Sequence, residues 1–150
     1  MTQFARTAGV RFLFTLALAV LPAKAFAAAD IAKLTTDATA GVADAQFQLA
    51  NAYMKGDGVG MDIAEGVKWC RLAAEQGYAP AQTQLAMKYA NGNGVPVDHI
   101  EADKWITLAV RADKHYQSIQ YMVESHFTFD EIHGGHVAAD QWQADHKAGK

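Results

Sequence analysis

The sequence predicts an all-α protein, a short right-handed α/α solenoid of helix–turn–helix repeats closed by a C-terminal capping helix. Three observations predict it. Residues 44–77 written above residues 80–113, at an offset of 36 without a gap, match at fifteen of 34 positions. A period between 20 and 50 residues marks a stacked repeat architecture. Within each unit the apolar residues recur at i, i+4 and i+8, the spacing of one helical face. Helix-starting and helix-stopping residues bracket each of these segments. Composition agrees: 51% hydrophobic and 19% charged residues in 150 belong to a globular chain of about one domain.

Residues 1–27 read as a signal peptide. Arg6 and Arg11 form a positive start, and Phe12–Leu21 (FLFTLALAVL) is an apolar run too short to cross a bilayer comfortably. Pro22 breaks it, and the small residues Ala23, Ala25 and Ala27 follow in A-x-A register. Cleavage is expected after Ala27, with Ala25 as the other site; the competing reading is an uncut membrane anchor. Cleavage would remove three basic residues and no acid, leaving 10 basic against 16 acidic side chains, a net charge of −6. Such a chain is a poor partner for nucleic acid or anionic lipid. The expected destination is the periplasm or the exterior, with no stable membrane insertion after cleavage.

Residues 28–150 form the repeat domain, with units at about 43–78 and 79–114 and a degenerate third unit and cap at 115–148. Residues 30–41 fit the last turns of a preceding second helix, with Gly41 in the place of Gly77. The first helix of each repeat, helix A, spans about 44–55 and 80–91. Ala45, Leu49 and Tyr53 face inward, and so do their equivalents Ala81, Leu85 and Tyr89. Pro80 suits a first turn, and Gly56 and Gly92 suit left-handed caps. Asp62 and Asp98 are expected to cap the second helix, helix B, with Glu65 and Glu101 three residues on as an Asp version of the capping box. Trp69 and Leu72, like Trp105 and Leu108, point to the core, and Ala73 and Ala109 allow close helix approach. Gly77 ends the first helix B, with Asp113 at the equivalent place in the second. Residues 115–127 fit a third helix A with Tyr121 in the place of Leu85. The last helix starts near Phe129 behind a Thr128–Glu131 capping box and buries Ile132, Gly135, Ala139 and Trp142. The flanks are needed because two-helix units cannot cover their own apolar stripes.

The pattern ADAQFQLANAYMKGDGV…DIAEGVKWCRLAAEQG, repeated as APAQTQLAMKYANGNGV…DHIEADKWITLA, resembles the Sel-one-like repeat family. The tail TFDEIHGGHVAADQW is similar to the terminal cap of such proteins. The resemblance implies an α/α solenoid related to tetratricopeptide arrays that holds other proteins, often in signalling or envelope complexes. It implies no general catalytic residue set.

In solenoids of this type the A helices line the concave face. The outward positions are Asp44, Phe47, Asn51, Met54 and Lys55, then Pro80, Thr83, Met87, Ala90 and Asn91, then Tyr116, Ile119, Val123, His126 and Phe127. Between the two clear repeats these positions mostly differ while the core positions match. Phe47, Asn51, Met54, Thr83, Met87, Ile119 and Val123 are therefore the expected partner-binding residues, and the apolar ones among them would form an exposed patch. The alternative is that they pack against the neighbouring helix layer.

Other candidates carry less. His133, His136 and Asp140 share a helical face, but nothing in the spacing fixes a third and fourth metal ligand. No metal site and no cofactor is expected. Cys70 aligns with Ile106, which reads as a buried hydrophobe and not a nucleophile. The GDGVG loop lacks the Lys-Ser/Thr of a phosphate loop and the spaced carboxylates of a calcium loop. Gly134 has no evident role in the helix pattern. No catalytic residue is expected. The function expected is an exported protein-interaction module or regulatory scaffold whose partner is another protein of the cell envelope. The alternatives are a hydrolase acting on cell wall or β-lactams, which the single Cys counts against, and a His-based metal-binding protein.

Overall fold

The computed structural model describes residues 23–149. They are 78% helical with no strand, in seven helices: α1 Ala23–Thr39, α2 Ala43–Lys55, α3 Ile63–Glu75, α4 Ala79–Asn91, α5 His99–Ala112, α6 Gln117–Glu124 and α7 Phe129–Ala148. A 3-10 turn at Lys114–Tyr116 precedes α6. The α/α repeat fold is the expected one. No helix among the described residues is long and apolar enough to cross a membrane. The leader expected at residues 1–27 lies outside the described residues up to residue 22, and residues 23–27 are the first turns of α1.

The helix ends follow from local chemistry. The Asp62 and Asp98 carboxylates each accept the backbone N–H of the Glu three residues on, at 2.9 Å. Those glutamates do not reach back to complete the box; they pair with Lys68 and Lys104 at i+3 instead. Thr128 and Glu131 form the full reciprocal box that begins α7. Gly56 and Gly92 end α2 and α4 at φ 76° and 67°, a backbone region that costs a side-chain-bearing residue about 1 kcal/mol or more.

Consecutive helices pack on one another from α1 to α5, and α7 then docks on α5 with α6 against its flank. Leu85, Ala86, Trp105, Ile106 and Ala109 form the centre of the main core, while Leu49 packs with Ala38 of α1 in a smaller cluster. The repeated glutamines have a structural reason. The Gln46 and Gln82 side chains are buried, and their Nε2 atoms donate to Ala38 O and Ala74 O, both at 3.1 Å. Each adds a second bond to a carbonyl that already accepts the N–H of Gly41 or Gly77 at the end of the preceding helix, so each fixes one layer on the next. Cys70 packs as its alignment with Ile106 predicts: both are fully buried.

Three expectations need correction. Tyr121 does not occupy the place of Leu85; it is 67% exposed, and Val123 is buried there instead. The 3-10 turn absorbs extra residues before α6, so the third unit is shifted by two relative to the second. Ile119, Gln120, Val123 and Phe127 thereby take the places of Ala81, Gln82, Leu85 and Tyr89. Val123 is accordingly a core residue and not a surface one. Leu72 is 43% exposed although Leu108 is buried: α5 is covered by α7 and α6, and α3 has no equivalent cover on that side.

The glycines of α7 lie where it meets α5. A Cβ on Gly135 would stand 2.3 Å from Asp103 Oδ2, and one on Gly134 would stand 3.3 Å from Ile100 Cδ1. Gly134 thus has a packing partner that helix periodicity alone did not reveal.

Candidate functional site

Four of the seven sequence-selected residues converge. Phe47 and Asn51 of α2, with Thr83 and Met87 of α4, line one groove of about 420 Å³ together with Pro80, Asn91 and Tyr116. Helical spacing puts Phe47 and Asn51 on adjacent turns of one face, and likewise Thr83 and Met87. Stacking α2, α3 and α4 then brings the two faces side by side. The rings of Phe47 and Tyr78 meet at 5.5 Å and 60°, which holds Phe47 at the groove edge. Thr83 is buried and its hydroxyl donates to Ala79 O at 3.0 Å, so it shapes the floor.

Gln84, Lys88 and Asn93 complete the lining. Sequence reasoning missed them. Gln84 matches Gln48 between repeats, and identity was taken as the mark of packing. Yet Gln84 Nε2 donates across the helix gap to Asn51 Oδ1 at 3.0 Å. Asn91 donates to Met87 O at 2.8 Å. The groove therefore has an apolar base of Phe47, Pro80, Met87 and Tyr116, an amide rim and one cation, Lys88. Amide side chains donate and accept, so such a rim can pair with a peptide backbone while the base takes an apolar side chain.

The remaining selected residues lie elsewhere. Met54 packs against α3 beside Gly66 and against Gln84. Ile119 packs half-buried against the main core, and Val123 is within it. Large apolar side chains are exposed at Tyr121, Met122 and Phe129; Met122 and Val123 line a neighbouring cavity of about 390 Å³ that shares Met87 and Asn91 with the groove.

The chemical candidates separate as well. The Cys70 Sγ donates to Ala81 O at 3.3 Å, and burial pushes the thiol up to about 12; it is an inert core thiol. Of the face formed by His133, His136 and Asp140, His133 is exposed and stacks on Phe129. Asp140 is paired to Arg111 at 2.8 Å. The three do not gather round a common point. His146 stacks on Trp142 and lies 3.1 Å from Glu75 O, tying the end of α7 to the end of α3.

Glu131 is held well below the usual range, at about 2, by the Thr128 backbone N–H and hydroxyl and then by His99 at 2.8 Å. A depressed carboxyl contributes stability that is present above its unfolded value near 4.5 and lost as pH falls toward 2. The melting-temperature gap between the wild type and Glu131→Gln should therefore close as pH is lowered from 5 to 2. A gap constant over that range would refute the assignment.

The comparisons agree with this architecture. The Sel1 repeat family matches residues 43–78 and 79–114. The crystal structure of a protective antigen present in uropathogenic Escherichia coli strains, displaying an SLR fold, superposes with a TM-score of 0.72 at 30% identity over 77% of this chain. A Sel1 repeat protein from Oxalobacter formigenes gives 0.62 at 29% identity over 66%. The chain spans 25% and 41% of the lengths of those two proteins. No curated protein matches the chain.

Proposed function

From the premise that this chain is a Sel1 repeat protein, with its repeats at residues 43–78 and 79–114, we propose that it is an exported scaffold that binds a segment of a cell-envelope protein along its A helices. Sel1 repeat proteins are in general protein–protein interaction modules. The observation that carries the finer reading is the groove between α2 and α4, where an apolar base is framed by Asn51, Gln84, Asn91 and Asn93. An extended or helical partner segment would set an apolar side chain against Phe47 and Met87 and exchange backbone hydrogen bonds with the amides. The stacked helices hold these groups in place beforehand, which lowers the ordering cost of binding. Export rests on the reading of residues 1–27 as a cleaved leader. The net charge of −6 after cleavage favours the encounter with basic partners more than it adds affinity.

The test is in-cell crosslinking followed by capture from the envelope, with wild type beside Phe47→Asp/Met87→Asp. The expected result is an envelope protein captured by the wild type and lost with the double variant. Asn91→Arg, at an exposed position on the groove rim, should weaken capture without touching the core. Circular dichroism confirms that each variant is folded. A partner retained by every variant would move the site off the groove, and no partner at all would overturn the scaffold reading.

A further inference from the structure

Three ionisable side chains meet between α5, α6 and α7 at positions that the earlier repeats fill with apolar residues. At the repeat offset, Asp103 stands where Val67 stands. Aligned on their first residues, Ala79 and Gln117, α4 and α6 place Glu124 where Ala86 stands. Aligned on their N-caps, Asp98 and Thr128, α5 and α7 place His136 where Ile106 stands. Val67, Ala86 and Ile106 are all buried in the core. The three polar replacements converge on one point.

The geometry is specific. Asp103 has no exposure to solvent, and neither of its carboxylate oxygens has a hydrogen-bond partner among the described residues; Glu124 Oε1 is likewise buried and unpartnered. His136 Nε2 lies 3.7 Å from Asp103 Oδ2. One ligand atom from each of the three residues lies within 4.8 Å of the others. Gly135 makes the space, since a Cβ there would overlap the Asp103 carboxyl. Burial, with Glu124 beside it, pushes the Asp103 carboxyl up to about 8. Arg111, itself paired to Asp140, offsets only part of the cost of holding two carboxyls at this point, and an uncompensated buried charge is penalised by several kcal/mol.

We propose that Asp103, Glu124 and His136 bind one divalent transition-metal cation, with zinc as the best fit. One imidazole nitrogen and two carboxylate oxygens suit zinc and its neighbours in the first transition row. Calcium and magnesium need about six oxygen ligands, which this pocket does not offer. The dication supplies the positive charge that the two carboxyls lack. Three protein ligands leave one position for water, on the side where the His136 ring is half exposed. The ligands come one each from α5, α6 and α7, so the ion staples the terminal cap to the second repeat. The site is independent of the groove between α2 and α4.

The test uses the full chain without a tag, stripped with chelator and titrated with zinc by calorimetry and by thermal melting. The expected result is one saturable equivalent and a raised melting temperature. Asp103→Asn and His136→Ala should each weaken binding by more than the ~10–100-fold that loss of a ligand's hydrogen-bond partner costs. His133→Ala should leave it unchanged. Cobalt substituted for zinc should show the visible absorption of a four-coordinate site. Both ligand variants are expected to fold without metal: Asn keeps the shape of the Asp103 side chain, and His136 is half exposed. No saturable binding would overturn the proposal. Binding that survives in Asp103→Asn, or falls with His133→Ala, would overturn it in favour of the surface histidines.

Discussion

Trp105→Ala is expected to destabilise the protein by about 3–5 kcal/mol, whereas Trp69→Ala, at the identical place in the first repeat, should cost clearly less. Trp105 is 2% exposed. Its ring meets Trp142 of α7 edge-on at 6.1 Å, and its Nε1 donates to Glu101 Oε2 at 3.0 Å. Lys104 lies over the same ring at 4.6 Å. Removing the indole opens a cavity between α4, α5 and α7 and leaves Trp142 without its partner. Trp69 is only half-buried, at the junction of the main core and the smaller α1–α2 cluster. Equilibrium denaturation of the two variants measures the difference. Equal losses would mean that α7 is not docked on α5 in solution.

Asp103→Asn is expected to stabilise the metal-free protein at pH 7, by about 2 kcal/mol, although it alters a fully buried core position. Most buried substitutions destabilise, so the sign itself is informative. The wild-type carboxyl oxygens are buried without a hydrogen-bond partner among the described residues, with Glu124, His136 and Arg111 as the ionisable neighbours. The raised carboxyl must take up a proton on folding at pH 7, whereas an amide of the same shape carries no such cost and offers donors to Glu124. The change should be measured in chelator by chemical denaturation. With zinc added, the order should reverse, because only the wild type would gain from the ion. A destabilised variant in chelator would mean that Asp103 has a partner in solution.

The repeats, their caps and the core face were legible in the sequence because they depend on local chemistry. Asp62, Asp98 and Thr128 accept backbone N–H groups three residues on in whatever fold contains them. Gly56 and Gly92 end their helices because their φ values suit few other residues. The Leu49 and Leu85 face was legible because it repeats with the period of the helix. The third unit was misread for a reason of the same kind. A rigid offset of 36 assumes that every connection has one length, and the 3-10 turn at Lys114–Tyr116 breaks that assumption. Tyr121 and Val123 exchanged roles as a result.

The candidate groove was half legible. Phe47, Asn51, Thr83 and Met87 were chosen because they differ between repeats on one helical face, and they do share a groove. Gln84 was passed over because it matches Gln48. Identity between repeats marks packing only when both copies have the same neighbours, and only Gln84 reaches across to Asn51.

The sequence by itself determined the helices, their ends and the order in which they stack, since each of these is set within a few residues or by a short repeat period. Tertiary structure alone decided which of two identical residues is buried, as with Trp69 and Trp105 or Leu72 and Leu108. It also brought Asp103, Glu124 and His136 from three helices to one point. Burial and convergence are properties of neighbours that the chain supplies from elsewhere, and α5 differs from α3 because α7 lies on it.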